Sequence, residues 1–353
     1  VEIHNNNVLK ILIAIGFCFG SSGLILADTV ELKTGRNARG TVVQMNANSV
    51  TIKLSTGKEQ VIKSAEVDKI SFDGEPALLR TARRNASEQQ FNRVEENLIS
   101  VDPATPFQIK EKEFLIAVSS AKLALRGEAG KTIPDAVKTM EAYVGKRENQ
   151  FWYQYFDALE TLGDLQVSAN QLDKAVTQYG MLSKSSSDSI KMVGGFKSAQ
   201  VNVLLEKFSD AKTSFASVQA DPSTEVAATK MKLLAKVGEA RCDCELGKAK
   251  ESIQSLLAII KKEDPSEMEL FGRAYNALGH CYLKDGQSKA ALLAFLHTDV
   301  LYQRDPEIHA ESLYQLIRLW QTDQKPAQSL AARKLIREKY RNTYWGSKEL
   351  NSN

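Results

Sequence analysis

Residues 276–295, NALGHCYLKDGQSKAALLAF, bring a histidine, a cysteine and two lysines into twenty positions. Metal ligation and nucleophilic catalysis are the two chemistries that would use such a set. A metal site would have to draw on Cys242, Cys244, His280 and Cys281. On a helix, residues two apart point about 200° from one another and adjacent ones about 100°. Cys242 and Cys244 therefore cannot reach one ion together without unwinding, and zinc sites favour a gap of roughly two to four residues in a turn. The cysteines read instead as small buried hydrophobes, and no metal ligand is assigned. If an oxidising compartment joined any two, the pair would be Cys242 and Cys281, at equivalent places in successive segments.

Nucleophilic catalysis fares no better. Ser119-Ser120-Ala121-Lys122 and Ser209-Asp210-Ala211-Lys212 fit Ser-x-x-Lys, and Lys33-Thr34-Gly35 fits the Lys-Thr-Gly element of penicillin-binding proteins. Here Lys-Thr-Gly comes first, the reverse of that order, and no Ser-Asp-Asn occurs. Gly-x-Ser-x-Gly, a phosphate loop and a dinucleotide fingerprint are also missing from the sequence. No catalytic residue, cofactor-binding residue or cofactor is expected, and the chain is not expected to be an enzyme.

Composition points the same way. The 353 residues are 43% hydrophobic and 25% charged, as in an ordinary globular protein, and a net charge of +3 offers no basic face for nucleic acid. The start differs from the rest. ILIAIGFCFGSSGLILA, 11–27, is uncharged, follows Lys10 and ends in Ala27 before Asp28, which predicts an export signal over 1–27 and a bacterial periplasmic or envelope location. With the signal cleaved after Ala27, no membrane span remains; an uncleaved N-terminal anchor is the alternative. Past this segment three cysteines remain, too few for a disulfide scaffold.

Residues 28–75 form a small all-β module. TVELKT, GTVVQM, SVTIKLS, QVIKS and VDKISF are rich in Val, Ile and Thr and alternate apolar with polar positions, with turn signals around Gly35, Asn46–Ser49 and Gly57. Five such strands bury one face only by curling into a small barrel or a tight meander. The arrangement resembles SH3-like or Sm-like barrels found just after the signal of some bacterial envelope proteins. Such a module would serve as a cap, or as a binder of peptide or cell-wall glycan.

From 76 to 350 the apolar period becomes helical, and within it a spacing of residue types recurs. Tyr275, Leu278, Gly279 and Tyr282 are spaced aromatic-x2-Leu-Gly-x2-Tyr, Asp285-Gly286 breaks the chain, and Ala291 and Phe295 follow as Ala-x3-Phe. This resembles the tetratricopeptide repeat, a helix–turn–helix unit of about 34 residues. Leu162-Gly163 with Ala175 and Tyr179 repeats the pattern less faithfully, as do Ala211 with Phe215, and Ser252 with Leu256. From Ala175 the corresponding small residues follow at 36, 41 and 39, longer than the family period. The expected fold is mainly α: an α-solenoid of six or seven helix pairs behind the β module.

The resemblance implies that the first helix of each unit lines a concave groove. By register the partner-facing candidates are Arg241, Arg273, Asn276, His280 and Lys284, with Cys244, Glu245 and Leu283 beside them, and Asp157, Glu160 and Asp164 in an earlier unit. The basic part could take an acidic peptide or a chain-terminal carboxylate; otherwise these charges form a solvated face. The function expected is a non-catalytic scaffold or adaptor in the cell envelope that binds protein or peptide partners. The alternative is a cell-wall module in which the β part binds glycan and the solenoid acts as a spacer.

Overall fold

The computed structural model describes residues 27–128 and 130–352. The run expected to be an export signal lies outside them, except for Ala27. Among the described residues, no helix is long and apolar enough to cross a membrane.

Five antiparallel strands come first: β1 (Asp28–Leu32), β2 (Asn37–Met45), β3 (Ser49–Leu54), β4 (Glu59–Lys63) and β5 (Val67–Ser71). Their order is β4-β3-β2-β1-β5, so the chain meanders outward and β5 returns to pair with β1. β4 and β5 are left as the two edges. Val30, Val50, Ile52 and Ile70 carry the alternation into the core and are fully buried. The Asp28 carboxylate accepts the Val42 N–H at 2.7 Å and the Asp73 N–H at 2.8 Å, tying the start of β1 to β2 and to the chain leaving β5.

Seven antiparallel helix pairs follow: α1/α2 (Ala77–Ser87, Phe91–Ile99), α3/α4 (Pro106–Leu125, Ile133–Gly145), α5/α6 (Tyr155–Ser168, Leu172–Met181) and α7/α8 (Asp188–Leu204, Phe208–Gln219). Then come α9/α10 (Val226–Glu245, Ala249–Lys262), α11/α12 (Met268–Lys284, Ser288–Leu301) and α13/α14 (Pro306–Thr322, Pro326–Leu335). A π-helical turn (Ile336–Tyr340) leads into the last helix, α15 (Tyr344–Leu350).

Every pair turns in the same way. The first helix ends in a residue with positive φ: Gln89, Gly127, Asn170, Glu206, Gly247, Gly286 and Gln324, spaced 36–43 residues apart. At each, that residue's N–H bonds the carbonyl three back, and the next N–H bonds the carbonyl five back. At the α11 end these are Gly286 to Leu283 at 3.1 Å and Gln287 to Tyr282 at 2.8 Å. This is the Schellman closure, which satisfies the last carbonyls of the first helix and reverses the chain.

Small residues then let the pairs approach. A Cβ on Gly279 would meet the Phe295 ring at 2.6 Å, and one on Gly163 or Gly238 would collide with the rings of Tyr179 or Phe215. Leu162, Ala175, Ala211, Leu278 and Ala291 are buried as expected, while Tyr275 and Tyr282 are half-buried. Tyr275 stacks on His297 with ring centres 4.7 Å apart.

One apolar core runs from the sheet through the first three pairs into α7, and a second from α7 to α12. At the sheet–helix joint Phe72 stacks on Phe107 at 5.7 Å. Beside it lies a buried ion triad. Arg83 bonds Glu75 through both Nη atoms, at 3.1 and 2.8 Å, and Glu111 through Nε at 2.7 Å. Burial would raise the Glu75 carboxyl, yet Arg83 brings it below its ordinary value; at Glu111 burial prevails and the carboxyl lies above it.

Removing one partner of a buried pair strands the other charge. Arg83→Ala is expected to cost roughly 3–5 kcal/mol in urea unfolding. Exposed Gln324 carries a left-handed backbone that glycine adopts without strain. Gln324→Gly is expected to stabilise by about 0.5–1 kcal/mol, since the relieved strain exceeds the added chain entropy. A raised urea midpoint at an unchanged slope would show it.

Candidate functional site

The first helices α5, α7, α9, α11 and α13 face inward and line one cavity of about 410 Å³. Phe196, Phe215, Leu234, Val237 and Trp345 give it apolar surface, and Asp164, Lys197, Gln200, Arg241, Arg273, Asn276, Glu307 and Glu311 give it polar groups.

Glu311 on α13 organises one wall. Its Oε1 lies 3.0 Å from His280 Nε2 and 3.5 Å from Arg241 Nη1, and its Oε2 accepts from Asn276 Nδ2 at 3.1 Å. Burial would raise this carboxyl, but the hydrogen bond and charge of His280, then Arg241 and Asn276, bring it down to about 2. Asn276 also donates to the Ile308 carbonyl at 2.8 Å, which fixes α11 against α13. Burial and the Arg241 charge lower the His280 pKa against the pull of Glu311. His280 turns its Nε2 to Glu311, and its ring meets Phe295 edge-on at 5.2 Å.

Arg273 sits over the Phe196 ring, with its guanidinium carbon 5.7 Å from the centroid, and pairs with Glu269 at 3.2 Å. Gln200, its side-chain oxygen turned toward Arg273, accepts from both Nη atoms. On the opposite wall Lys197 bridges Asp164 at 2.6 Å and Glu160 at 2.8 Å, and the Tyr179 hydroxyl donates to Asp164 at 2.7 Å.

Arg241, Arg273 and Asn276 thus line the cavity, as does Asp164. His280 stands behind the wall and holds Glu311 in place. Lys284 is outside the cavity lining, 2.8 Å from Glu245, and its neighbour Leu283 is half-buried. Asp157 is exposed away from the cavity lining. The basic and acidic stretches read from the sequence are therefore interleaved, and each cavity cation already carries a carboxylate. Lys197, Phe196, Gln200, Glu307 and Glu311 escaped the sequence reading because α7 and α13 lack the Leu-Gly signature that sets the register, and Trp345 escaped it because α15 belongs to no helix pair.

Cys242, Cys244 and Cys281 are free and buried, and Cys244 rather than Cys242 is the hydrogen-bonded neighbour of Cys281. Residues two apart on a helix point about 200° from one another, so Cys242 and Cys244 cannot both face the next first helix. Among the described residues no cluster of His, Cys, Asp or Glu could hold a metal ion.

Glu307, in the first turn of α13, accepts the Tyr344 N–H on both oxygens at 3.0 and 3.1 Å. Burial, with the negative charges of Asp305, Asp164 and Glu311, pushes its carboxyl up to about 8 despite that N–H. A carboxyl raised on folding keeps its proton where the unfolded chain has lost it, so its contribution weakens as pH rises from about 5 to 8. Glu307→Gln, which keeps an acceptor for Tyr344, is expected to remove this loss. Urea unfolding at pH 5 and pH 8 should show the native chain losing more stability than the variant, on the order of 1–2 kcal/mol.

No family model matches the chain, and no curated protein matches it. Solved structures do. A tetratricopeptide repeat protein from Parabacteroides merdae superposes with a TM-score of 0.54 at 14% identity, over 77% of this chain and 96% of that one. A Rap protein complexed with Competence and Sporulation Factor superposes with a TM-score of 0.51 at 10% identity, over 77% of each chain. Together with the seven identically closed helix pairs, these likenesses establish the fold as a tetratricopeptide-type α-solenoid preceded by a five-stranded antiparallel sheet.

Proposed function

We propose that the chain is a non-catalytic scaffold that binds a short segment of a protein partner in the cavity enclosed by its first helices. The observation that carries this reading is the cavity itself. It lies within the size range of ligand sites, mixes apolar surface with a few convergent polar groups, and is built from five repeats. Each of its cations already carries a carboxylate, so a partner segment gains little from net charge and is selected by apolar anchors and hydrogen bonding. Phe196, Phe215 and Trp345 would hold the anchors, while Gln200 and Arg273 would offer hydrogen bonds. The Rap protein of similar fold is described in complex with a factor, which supports a partner-binding role for this architecture.

The division into a sheet, 28–75, and a solenoid, 76–350, belongs to the same reading. The sheet acts as the cap that an end of a repeat array needs. Phe72 stacked on Phe107 and the Asn48 side chain accepting the Ser186 N–H at 2.6 Å support that role. The export signal over 1–27 and a place in the bacterial envelope complete the proposal.

Photo-crosslinking with p-benzoylphenylalanine tests it in the native host. Placed at Gln200, inside the cavity, the probe is expected to trap a discrete protein partner; placed at exposed Leu330 it is expected to trap none. Arg273→Glu should reduce the Gln200 adduct about ten-fold or more, and Lys284→Glu, outside the lining, should leave it. Adducts only from Leu330, or none from Gln200, would refute the cavity as the binding site.

A further inference from the structure

In a repeat solenoid each unit touches only its neighbours, so the two ends are ordinarily free of one another. Here they meet. Asn342 Nδ2 donates at 2.7 Å to the carbonyl of Ala124, in the last turn of α3 and 218 residues away. Tyr344 is buried and belongs to the apolar core shared by the sheet and the first three helix pairs. Asn342, Thr343 and Trp345 line the partner cavity opposite Asp164 and Val167 of α5. The segment 341–350 therefore closes the superhelix into a ring and forms part of the chamber wall.

This wall has space on both sides. A second cavity, of about 690 Å³, separates it from the start of α4 and is lined by Val137, Lys138, Arg341, Asn342 and Ser347. The segment is better tied to its own end of the ring. Trp345 packs on Tyr314 of α13 with ring centres 5.2 Å apart, and Glu349 pairs with Arg333 of α14 at 3.0 Å. It is joined to the N-terminal pairs by the Asn342 hydrogen bond and the Tyr344 and Trp345 side chains. Directly before it lies the π-helical turn, a distortion that interrupts the regular helix and often sits at functional sites. Gly346 has no room for a side chain, because a Cβ there would collide with the Tyr340 carbonyl oxygen.

We propose that the segment 341–350 is an intramolecular latch whose seam with α3 and α5 opens to admit the partner into the chamber. This rests on the chamber being the partner site. The seam is the one place where the ring can part without separating any neighbouring pair of repeats. A closed ring admits only what diffuses through its mouths, whereas an open one exposes the first-helix wall along its length.

Native-state hydrogen exchange on the full chain reads the latch with no partner present. The Gly346 and Ser347 amides are expected to exchange at least about ten-fold faster than amides in the middle of α11 and α13. Asn342→Ala should speed them a further three- to ten-fold, roughly the effect of one lost hydrogen bond, while α11 and α13 keep their rates. Gly346→Ala should have the same local signature by steric release. The association rate of 8-anilinonaphthalene-1-sulfonate, an apolar probe small enough for the chamber, should rise in both variants in step with latch exchange.

Latch amides exchanging as slowly as α11, or Asn342→Ala accelerating α3, α5 and α13 alike, would make the segment a fixed structural element. An unchanged probe rate in a variant whose latch amides do exchange faster would show that the seam is no route to the chamber. If the latch opens as expected but the crosslinker at Gln200 traps nothing, the binding reading fails and the latch stands. Equal Gln200 adducts from the native chain and Asn342→Ala, with latch exchange raised, would overturn the gating role alone.

Discussion

A left-handed residue at the end of every first helix is the constraint on which this architecture depends. Seven times the chain must reverse within about three residues, and each time the Schellman pair of hydrogen bonds does it at one backbone position. Without that reversal the small-residue seams, Gly163 under Tyr179 and Gly279 under Phe295, would not face their aromatic partners. The pairs stack because each buries only part of its apolar surface on its own. Stacking turns the first helices inward and the second helices outward, and so the turn geometry places Lys197, Arg241, Arg273 and Glu311 around one chamber.

The chamber shows how charge is kept inside such a wall. Isolated charges in a confined space are costly, and most of these are satisfied pairwise or in small networks. Glu311 is the clearest case, held ionised by Asn276, His280 and Arg241 from two different repeats. Such a network fixes the angle between α9, α11 and α13, so His280 contributes to the site without touching it. Glu307 is the opposite case: the same wall gives it negative neighbours and a single backbone donor, and its carboxyl stays high.

The solenoid was legible because one repeat is nearly ideal. The Tyr275–Phe295 unit names each packing role by residue type, and the period of 36–43 residues follows once that unit is fixed. The five strands were legible from alternation, and Gly35 and Gly57 sit at turns with positive φ as their neighbours imply. The site was only half legible. Arg241, Arg273 and Asn276 follow from register on α9 and α11, where Gly247 and Gly286 mark the helix ends. Lys197 and Glu311 do not, because their repeats turn at Glu206 and Gln324, residue types that give no hint of a left-handed backbone. Charge pairing was not legible either, since Arg241 and Glu311 are 70 residues apart in sequence and meet only through the superhelical curvature.

The same curvature bears on how the chain folds. A solenoid made only of neighbouring contacts has low contact order and can nucleate in any repeat. The contacts of Asn342 with Ala124 and of Tyr344 with the N-terminal core cannot form until five intervening repeats are in place, because each repeat contributes to the rotation that brings the ends together. Ring closure is thus the last step of assembly, and it rests on a few contacts of Asn342, Tyr344 and Trp345 rather than on the sum of repeat interfaces. An element that closes last, on few contacts, is also the first to open. A change in the pitch of any single repeat would accordingly be felt at the seam, although the altered residue lay far from it.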